Sequence, residues 1–451
     1  MESKDKREWM LAINKELLNM ENLGVCSIED SKKNDHMIVM AWVFKVKREY
    51  NYEVIEHKAR LCAQGFHQIE VLDYLSTFSP TGRLSSLRVL ISHAAANGFQ
   101  FHQMDVKSTF LNAPLDEDLT LKIPDGINED PNRKVLRLHK AIYGLKQAPL
   151  AWRGEKPVCI YVHVDHLAIF RPDLASFKME IEKAFDMKDL GEAGLLLERY
   201  SPVNTPLKPN LKLNIATREE ETAFADLNIN YQSAIGALNY ISTNTRPNIT
   251  FAVSHLSHFL AKPEIMHWTA CVQVLRYLYH TKKLLLHYSK GGKEGIVAYA
   301  DADWGNSVIN RISSSGYIVM VNGHLVSWRT KKQNTVSHST TEAEYKALTN
   351  MTKEVEWLIQ LLEEIDLNEG NPTPQLFNDN KGAIDLALSN ANHNGFKNNH
   401  MDIKYYYIRD LIKNSVINLK YISTNVMAAD FLTKSVGKTI LLQSQSFHNL
   451  K

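Results

Sequence analysis

The chain has 451 residues, 44% of them hydrophobic and 23% charged, and carries a formal net charge of +2. Those values are ordinary for globular protein and fit two to four domains with real cores. A charge so near zero gives no global attraction to nucleic acid, so any basic surface must be local, as at Lys45, Lys47 and Arg48 or at Arg329, Lys331 and Lys332.

Cys26, Cys62, Cys159 and Cys271 lie far apart without CxxC spacing, which argues against a disulfide framework or zinc ribbon and suits a reducing compartment. The amino terminus, MESKDKREW, has no apolar signal core, and no apolar window is long enough to span a bilayer. No membrane partner is expected.

Over 6–21, Trp9, Ile13 and Leu17 recur at four-residue steps and predict an amphipathic helix. The run MIVMAWVFKVK (37–47) is β-rich, and a basic connection at Lys58, Ala59 and Arg60 leads to Gln64, Gly65 and Phe66. A helix is predicted next, with Ser85 or Ser86 as N-cap, Leu87, Leu90 and Ile91 on one face, and Gly98 at its end. The following FHQMDVKSTFLNAPL runs strand-like residues into Asp105 and Phe110. Taken alone, Asp105 reads as an ordinary strand-end turn acid.

The stretch YVHVDHLAIF (161–170) has the composition of a buried strand with Asp165 near its middle. An aspartate between Val164 and Leu167 is costly to bury without a cation, so a turn between two strands is its natural place. Such a turn either faces a metal or ligand or is a solvent-facing hairpin tip. From 208 to 292 the chain reads helical, and its scattered histidines read as surface and packing residues, because neither cysteines nor a carboxylate box accompany them.

The β-rich EGIVAYADADW (294–304) ends in Asp301 and Asp303. Strands over 316–320 and 325–328 follow, then a long helix over 339–365 with a Ser/Thr start. Leu348, Met351, Val355, Leu358 and Leu362 form its inward stripe, alternating between three- and four-residue steps. Glu344, four before Leu348, continues that stripe, whereas Glu342 is rotated by roughly 200° from it. Periodicity therefore selects Glu344 as the acid that reaches the sheet. PQLFNDN (374–380) brings a short strand to Asp379, a helix follows over 382–388, and the strand INLKYIS (417–423) leads to a helical segment over 426–434 that carries Asp430.

The words KARLCAQGF, DYLSTFSP, MDVKSTFLN, IYGLKQAP, YVHVDHLAIF and MKDLGE, in that order, closely resemble the reverse transcriptase of copia-type retrotransposon Pol polyproteins. TEAEY, DN and ADFLTK resemble the ribonuclease H of the same polyproteins. The resemblance implies a multidomain α+β and α/β chain: right-hand polymerase fingers and palm, incomplete, followed by a ribonuclease H-like α/β domain. The expected divisions are a reverse transcriptase region (1–200), a helical thumb or connection remnant (201–292), a ribonuclease H-like domain (293–436) and a tail (437–451).

The same resemblance implies residue roles. Asp105 and Asp165 match the first two palm carboxylates, while His166 stands where the family has its third. Lys58 and Arg60 fall where the fingers meet the incoming triphosphate, Phe110 where a bulky side chain blocks the ribose 2′-hydroxyl, and Gln147 in the loop lining the nucleotide pocket. Asp301, Glu344, Asp379 and Asp430 form a complete ribonuclease H set. His400 falls near a family histidine that would shuttle a proton, or is a plain helix-start residue.

Implied cofactors are Mg²⁺ ions at two-metal sites, with Mn²⁺ as an alternative. Implied partners are an RNA template, a DNA primer and the RNA/DNA hybrid, with dNTP if the polymerase is competent, at an intracellular location, cytoplasmic or nuclear or both. Against an active polymerase stand His166 and two contractions relative to the family, after Trp152 and over 190–207. The expectation is an impaired polymerase with an intact hydrolase site, in a piece of a longer polyprotein. The alternative is a non-catalytic nucleic-acid-binding relic.

Overall fold

Stripes and alternating runs condense into two units, residues 1–82 with 101–196 and residues 83–100 with 197–451. The computed structural model describes residues 5–32, 36–48, 54–75, 83–97, 100–106, 108–124, 127, 130, 133–148, 160–163, 166–171, 187–188, 203–209, 211–291, 295–365, 367, 370–389, 399–447 and 450. At 47–48, 100–106, 109, 160–163, 166–171, 187–188, 399–403 and 405 it describes the backbone alone.

In the first unit the predicted amphipathic helix is α1 (Lys6–Asn22), followed by β1 (Cys26–Asp30), β2 (Met37–Ile38), β3 (Met40–Arg48) and β4 (Val54–Ala63). β3 and β4 form a two-stranded antiparallel ribbon, and α1 lays Ala12 and Ile13 against Ala59 of it. The next helix, α2 (Leu84–Asn97), falls in the second unit. The chain then continues through β5 (Gln100–Val106), β6 (Thr120–Lys122), β7 (Lys134–Leu138), β8 (Ile160–His163), β9 (His166–Arg171) and β10 (Met187–Lys188). One sheet has the order β1-β7-β6-β2 and a second the order β10-β5-β9-β8. Val25, Ile38, Leu111, Leu121 and Ile142 fill the core beside the first, each fully buried.

Two glycines fix a loop crossing in this unit. A Cβ on Gly65 would stand 2.2 Å from the Gly144 carbonyl oxygen, and one on Gly144 would stand 2.0 Å from that of Ala63. Gly144 also has φ +92°, a conformation that glycine adopts without strain. The QGF and YGL words of the sequence are thus two halves of one backbone contact, closed by the Ala63 N–H donating to the Tyr143 carbonyl at 2.8 Å.

The helical reading of 208–292 holds through α3 (Arg218–Ala225), α4 (Tyr231–Asn244), α5 (Thr250–Ser257) and α6 (Ile265–His280). Thr217 and Glu220 close a capping box at the start of α3. The histidines pack: His267 is fully buried, stacks on Phe259 with ring centroids 3.9 Å apart, and donates from Nε2 to the Asn214 carbonyl.

Burial first, with electrostatic repulsion from His258, Lys332 and His267 adding to it, pushes the His255 imidazolium down to about 4. The unfolded chain takes up that proton near pH 6.5. Stability contributed by neutral His255 is therefore complete above about pH 6.5 and is lost as pH falls towards 4, by roughly 2–3 kcal/mol. In thermal melts between pH 7 and 4.5, His255→Phe is expected to flatten the fall in Tm. An unchanged slope would show that His255 is not held neutral.

The second sheet-bearing part holds β11 (Ile296–Asp303), β12 (Ser314–Val321), β13 (His324–Lys332), α7 (Thr340–Glu364), β14 (Gln375–Asn378), α8 (Lys381–Leu388), α9 (Asn399–Lys413), β15 (Asn418–Tyr421) and α10 (Lys438–Phe447). Its five strands run in the order β13-β12-β11-β14-β15. The β11, β12 and β13 meander is antiparallel, and β14 and β15 join in parallel, as crossover helices require.

The sheet is buried on both faces. Ile296, Ala298 and Ala300 of β11 meet the α7 stripe of Leu348, Met351, Val355, Leu358 and Leu362 on one side. Each fully buried member of that stripe stabilises the unit by about 1.5–3 kcal/mol relative to exposure. Tyr299, Ile318 and Met320 face α4, α5, α6 and the 427–432 segment on the other. The stretch set apart at 437–451 carries α10, whose Leu441 joins this second core.

Two sequence expectations are corrected. The helix at 84–97 begins at Leu84, so Ser85 and Ser86 lie inside its first turn, and its buried residues include Ser85, Arg88, Val89 and Ser92 rather than a leucine face. Arg88 donates to the carbonyls of Val326 at 3.2 Å, Asn244 at 2.9 Å and Thr243, with its guanidinium 3.8 Å over the Trp328 ring. Ser92 Oγ meets the Val321 carbonyl and His324 Nδ1, each at 2.9 Å. The surface beneath α2 offers backbone acceptors and an imidazole, which polar side chains satisfy and leucines cannot. Likewise 426–434 forms single 3₁₀ turns, Thr424–Val426 and Asp430–Leu432, in place of a helix. So short a segment gains too few hydrogen bonds to offset helix nucleation.

Candidate active site

Parallel register brings the first two acids together. Tyr299 of β11 pairs with Phe377 of β14, so two residues further along each strand the chain reaches Asp301 and Asp379. Antiparallel pairing sets Asp301 opposite Gly316 of β12. α7 starts at Ser339, whose hydroxyl accepts from the Glu342 N–H, and one turn on it aims Glu344 at the sheet end. One carboxylate oxygen from each of Asp301, Glu344 and Asp379 lies within 4.8 Å of the others.

Periodicity chose correctly between the two glutamates. Glu344 is buried, whereas half-buried Glu342 pairs with Lys346 at 2.8 Å. Asp430, the fourth predicted acid, stands outside the group of three, yet near enough that its charge acts on Asp301. It is held by Lys434, whose Nζ lies 2.9 Å from Oδ1.

The electrostatics are those of acids crowded together in a dry place. Burial first, and then the charge of Asp430, push the Asp301 carboxyl far above the ordinary range, with Lys434 and Thr433 pulling back. Burial and then Asp301 push Glu344 up in the same way. Hard oxygen donors that repel one another at this spacing fit a divalent cation, whose charge relieves the repulsion.

Three supporting residues have no signal in spacing or periodicity. Asn378, fully buried, donates from Nδ2 to Glu344 Oε2 and to the Ala300 carbonyl, each at 3.0 Å. The Thr433 hydroxyl donates to Asp301 Oδ2, and that of Thr424 to Asp379 Oδ2 at 2.6 Å. Asn378 and Thr433 lie inside the words DN and ADFLTK or beside them, the only hint the sequence offers.

In the first unit, β8 and β9 pair antiparallel with His163 opposite His166, which is the predicted hairpin. Asp165 lies outside the described residues. The backbone of β5, carrying Asp105, is the neighbour of β9 in the sheet, and Asp105 pairs with Lys188 of β10. Lys58 is exposed on β4 opposite Lys45. Arg60 and Phe110 meet through a residue not singled out beforehand: the Arg60 guanidinium lies 4.9 Å from the Tyr143 ring centre, and Phe110 meets that ring edge-on at 5.4 Å. Gln147 is buried with both amide ends engaged, accepting from Gln68 Nε2 at 3.0 Å and donating to the Asp73 carbonyl at 2.9 Å. Of the two contracted stretches, residues 153–159 and 190–202 lie outside the described residues, as does the side chain of His400.

A sheet of this order, with acids at two strand ends, on the first turns of the intervening helix and near the carboxyl end, defines a ribonuclease H-like domain following a reverse transcriptase region. The family model "Reverse transcriptase (RNA-dependent DNA polymerase)" matches residues 24–160. Over 96% of its length the chain is 32% identical to the retrovirus-related Pol polyprotein from transposon TNT 1-94 of Nicotiana tabacum, covering 37% of that protein. It is equally 32% identical to the Pol polyprotein from transposon RE1 of Arabidopsis thaliana, over 88% of this chain and 31% of that one.

Over most of its length the chain is therefore similar to the copia-type transposon Pol polyproteins, and it spans about a third of the length of these curated relatives. Among solved structures, the foamy viral protease-reverse transcriptase in complex with RNA/DNA hybrid aligns with 94% of this chain and 54% of its own, at a TM-score of 0.48 and 12% identity. Among the described residues no helix is long and apolar enough to cross a membrane.

Proposed function

We propose that the second unit cleaves the RNA strand of an RNA/DNA hybrid with divalent metal ions held by Asp301, Glu344, Asp379 and Asp430. The observation that carries this reading is the convergence of three carboxylates, from two strand ends and a helix, within 4.8 Å. Bound there, two Mg²⁺ or Mn²⁺ ions supply activation of a water and stabilisation of the departing 3′-oxygen. Asn378 holds Glu344 and the Thr433 hydroxyl holds Asp301, which would keep both carboxylates in place to hold the ions. Lys434 holds Asp430 beside the group through its Oδ1. In assays on a labelled hybrid with Mg²⁺, the RNA strand is expected to be cut and the DNA strand left whole. Equal cutting of both strands would refute hybrid-specific hydrolysis.

The first unit descends from a polymerase that, in this reading, no longer works well. A two-metal palm needs three carboxylates, and at the place of the third stands His166, which removes a hard oxygen ligand and a negative charge. Asp105 and Asp165 remain as ligands by descent, with Lys58, Arg60, Phe110 and Gln147 around the place of the incoming dNTP. Extension of a DNA primer on an RNA template, followed on a gel, is expected to be at background. Robust Mg²⁺-dependent extension would overturn this half of the reading.

A further inference from the structure

On the α7 face of the second unit's sheet lies a cavity of about 300 Å³ that the acidic site does not use. Two sheet rungs build its floor: Ser315 pairs with Lys331, and Tyr317 with Arg329, one rung either side of the Gly316 and Thr330 pair that borders Asp301. Its wall is the flank of α7 at Lys353, Glu354 and Trp357, and Arg83 closes it from the residue before α2.

Arg83, Arg329, Lys331 and Lys353 are exposed side chains, and among the described residues none of them is ion-paired with a carboxylate. The one acid in the lining, Glu354, is engaged by the Ser327 hydroxyl at 2.7 Å. Four cations converging on one cavity repel one another, in a chain whose overall charge of +2 gives no reason for their clustering. The Trp357 ring is covered by the Arg83 guanidinium, 4.5 Å from its centre, so it buttresses a charge and does not present that face to a base.

We propose that this cavity binds the phosphodiester backbone of the nucleic-acid duplex whose RNA strand the acidic site cuts. The proposal rests on the hydrolase reading and adds a second point of attachment to it. Lys353 lies nine residues beyond Glu344 on the same helix, about 13 Å along its axis at 1.5 Å per residue. That is the rise of about four base pairs, and β13 lies two strands from β11, about 10 Å across the sheet. A duplex with its scissile phosphate at the acids reaches the cavity with a phosphate a few nucleotides away. Contacts of this kind position the duplex without reading its sequence.

The test measures binding of a fluorescent RNA/DNA hybrid by anisotropy over a range of salt concentrations, with the full chain carrying Asp379→Asn to keep the hybrid uncut. Adding Arg329→Ala, Lys331→Ala and Lys353→Ala is expected to weaken binding about tenfold near 0.1 M salt and to lower the slope of log Kd on log salt by about one to two, one unit per lost phosphate contact. A control removing three exposed lysines elsewhere, Lys212→Ala, Lys283→Ala and Lys413→Ala, is expected to keep the parent slope. An unchanged slope in the cavity variant, or an equal loss in the control, overturns the proposal. Cleavage by the wild-type chain separates the two readings: a cavity effect on binding without any cleavage leaves the cavity standing and fails the hydrolase, whereas normal cleavage with no cavity effect does the reverse.

Discussion

Asp379→Asn is expected to lower cleavage of an RNA/DNA hybrid by about a thousandfold or more, while moving Tm by no more than a few degrees. The substitution removes one hard ligand and one negative charge from a group of three oxygens that lie within 4.8 Å. Loss of that charge stabilisation is worth several kcal/mol, and each 1.36 kcal/mol is a factor of ten in rate. The fold tolerates the change because Asp379 is only half-buried and its hydrogen-bonded neighbour, the Thr424 hydroxyl, can donate equally to an amide oxygen. Circular dichroism melts and initial rates, taken on the same preparations, separate the two effects. Rates within a few-fold of wild type would remove Asp379 from the site.

Gly316→Ala is expected to damage stability and cleavage together, without touching an acid. A Cβ there would stand 2.7 Å from Leu432 Cβ and 2.9 Å from Thr433 Cγ2, with the Leu432 carbonyl carbon at 3.2 Å. Leu432 and Thr433 are fully buried, so the Asp430–Leu432 turn must move as a body. Forcing a methyl into such packing costs about 1–3 kcal/mol. The displacement also pulls Thr433 from Asp301 and carries Asp430 away, so cleavage is expected to fall by roughly ten- to a hundredfold at temperatures where the variant is still folded. A variant that melts like wild type and cleaves at the wild-type rate would show that the turn is not clamped to the sheet at this point.

The sequence displays whatever rests on a period. The α7 stripe and the choice of Glu344 over Glu342 follow from counting residues along one element, and the hairpin around His163 and His166 from the cost of burying an acid in an apolar run. The acids could be grouped only through the family resemblance, since the pairing of β11 with β14 joins residues nearly eighty positions apart. What stayed hidden is polar and non-local. Arg88 and Ser92 are buried because particular carbonyls and an imidazole await them on other elements, which no hydrophobic pattern of 84–97 encodes. Asn378 is as buried as a leucine, although its type predicts exposure, because it spans Glu344 and Ala300. The turn bearing Asp430 is tied to another element in the same way, since Thr433 at its end donates to Asp301.

These residues form a shell that holds charged groups where they repel. A fold that collects Asp301, Glu344 and Asp379 with Asp430 nearby, and raises the carboxyls of the first two by burial and proximity, stores a site complementary to positive charge. On the proposed reading, its complement is a pair of small divalent ions and, through them, a phosphodiester.

The most direct test follows the full chain on three end-labelled substrates, an RNA/DNA hybrid, the same RNA as a duplex with RNA, and the single strand. The expected result is Mg²⁺- or Mn²⁺-dependent cutting of the RNA strand in the hybrid alone, abolished by chelation and by Asp379→Asn. A folded chain that leaves the hybrid intact, or one whose cutting persists in chelator or ignores the DNA strand, would contradict the assignment of Asp301, Glu344, Asp379 and Asp430 as a ribonuclease H site.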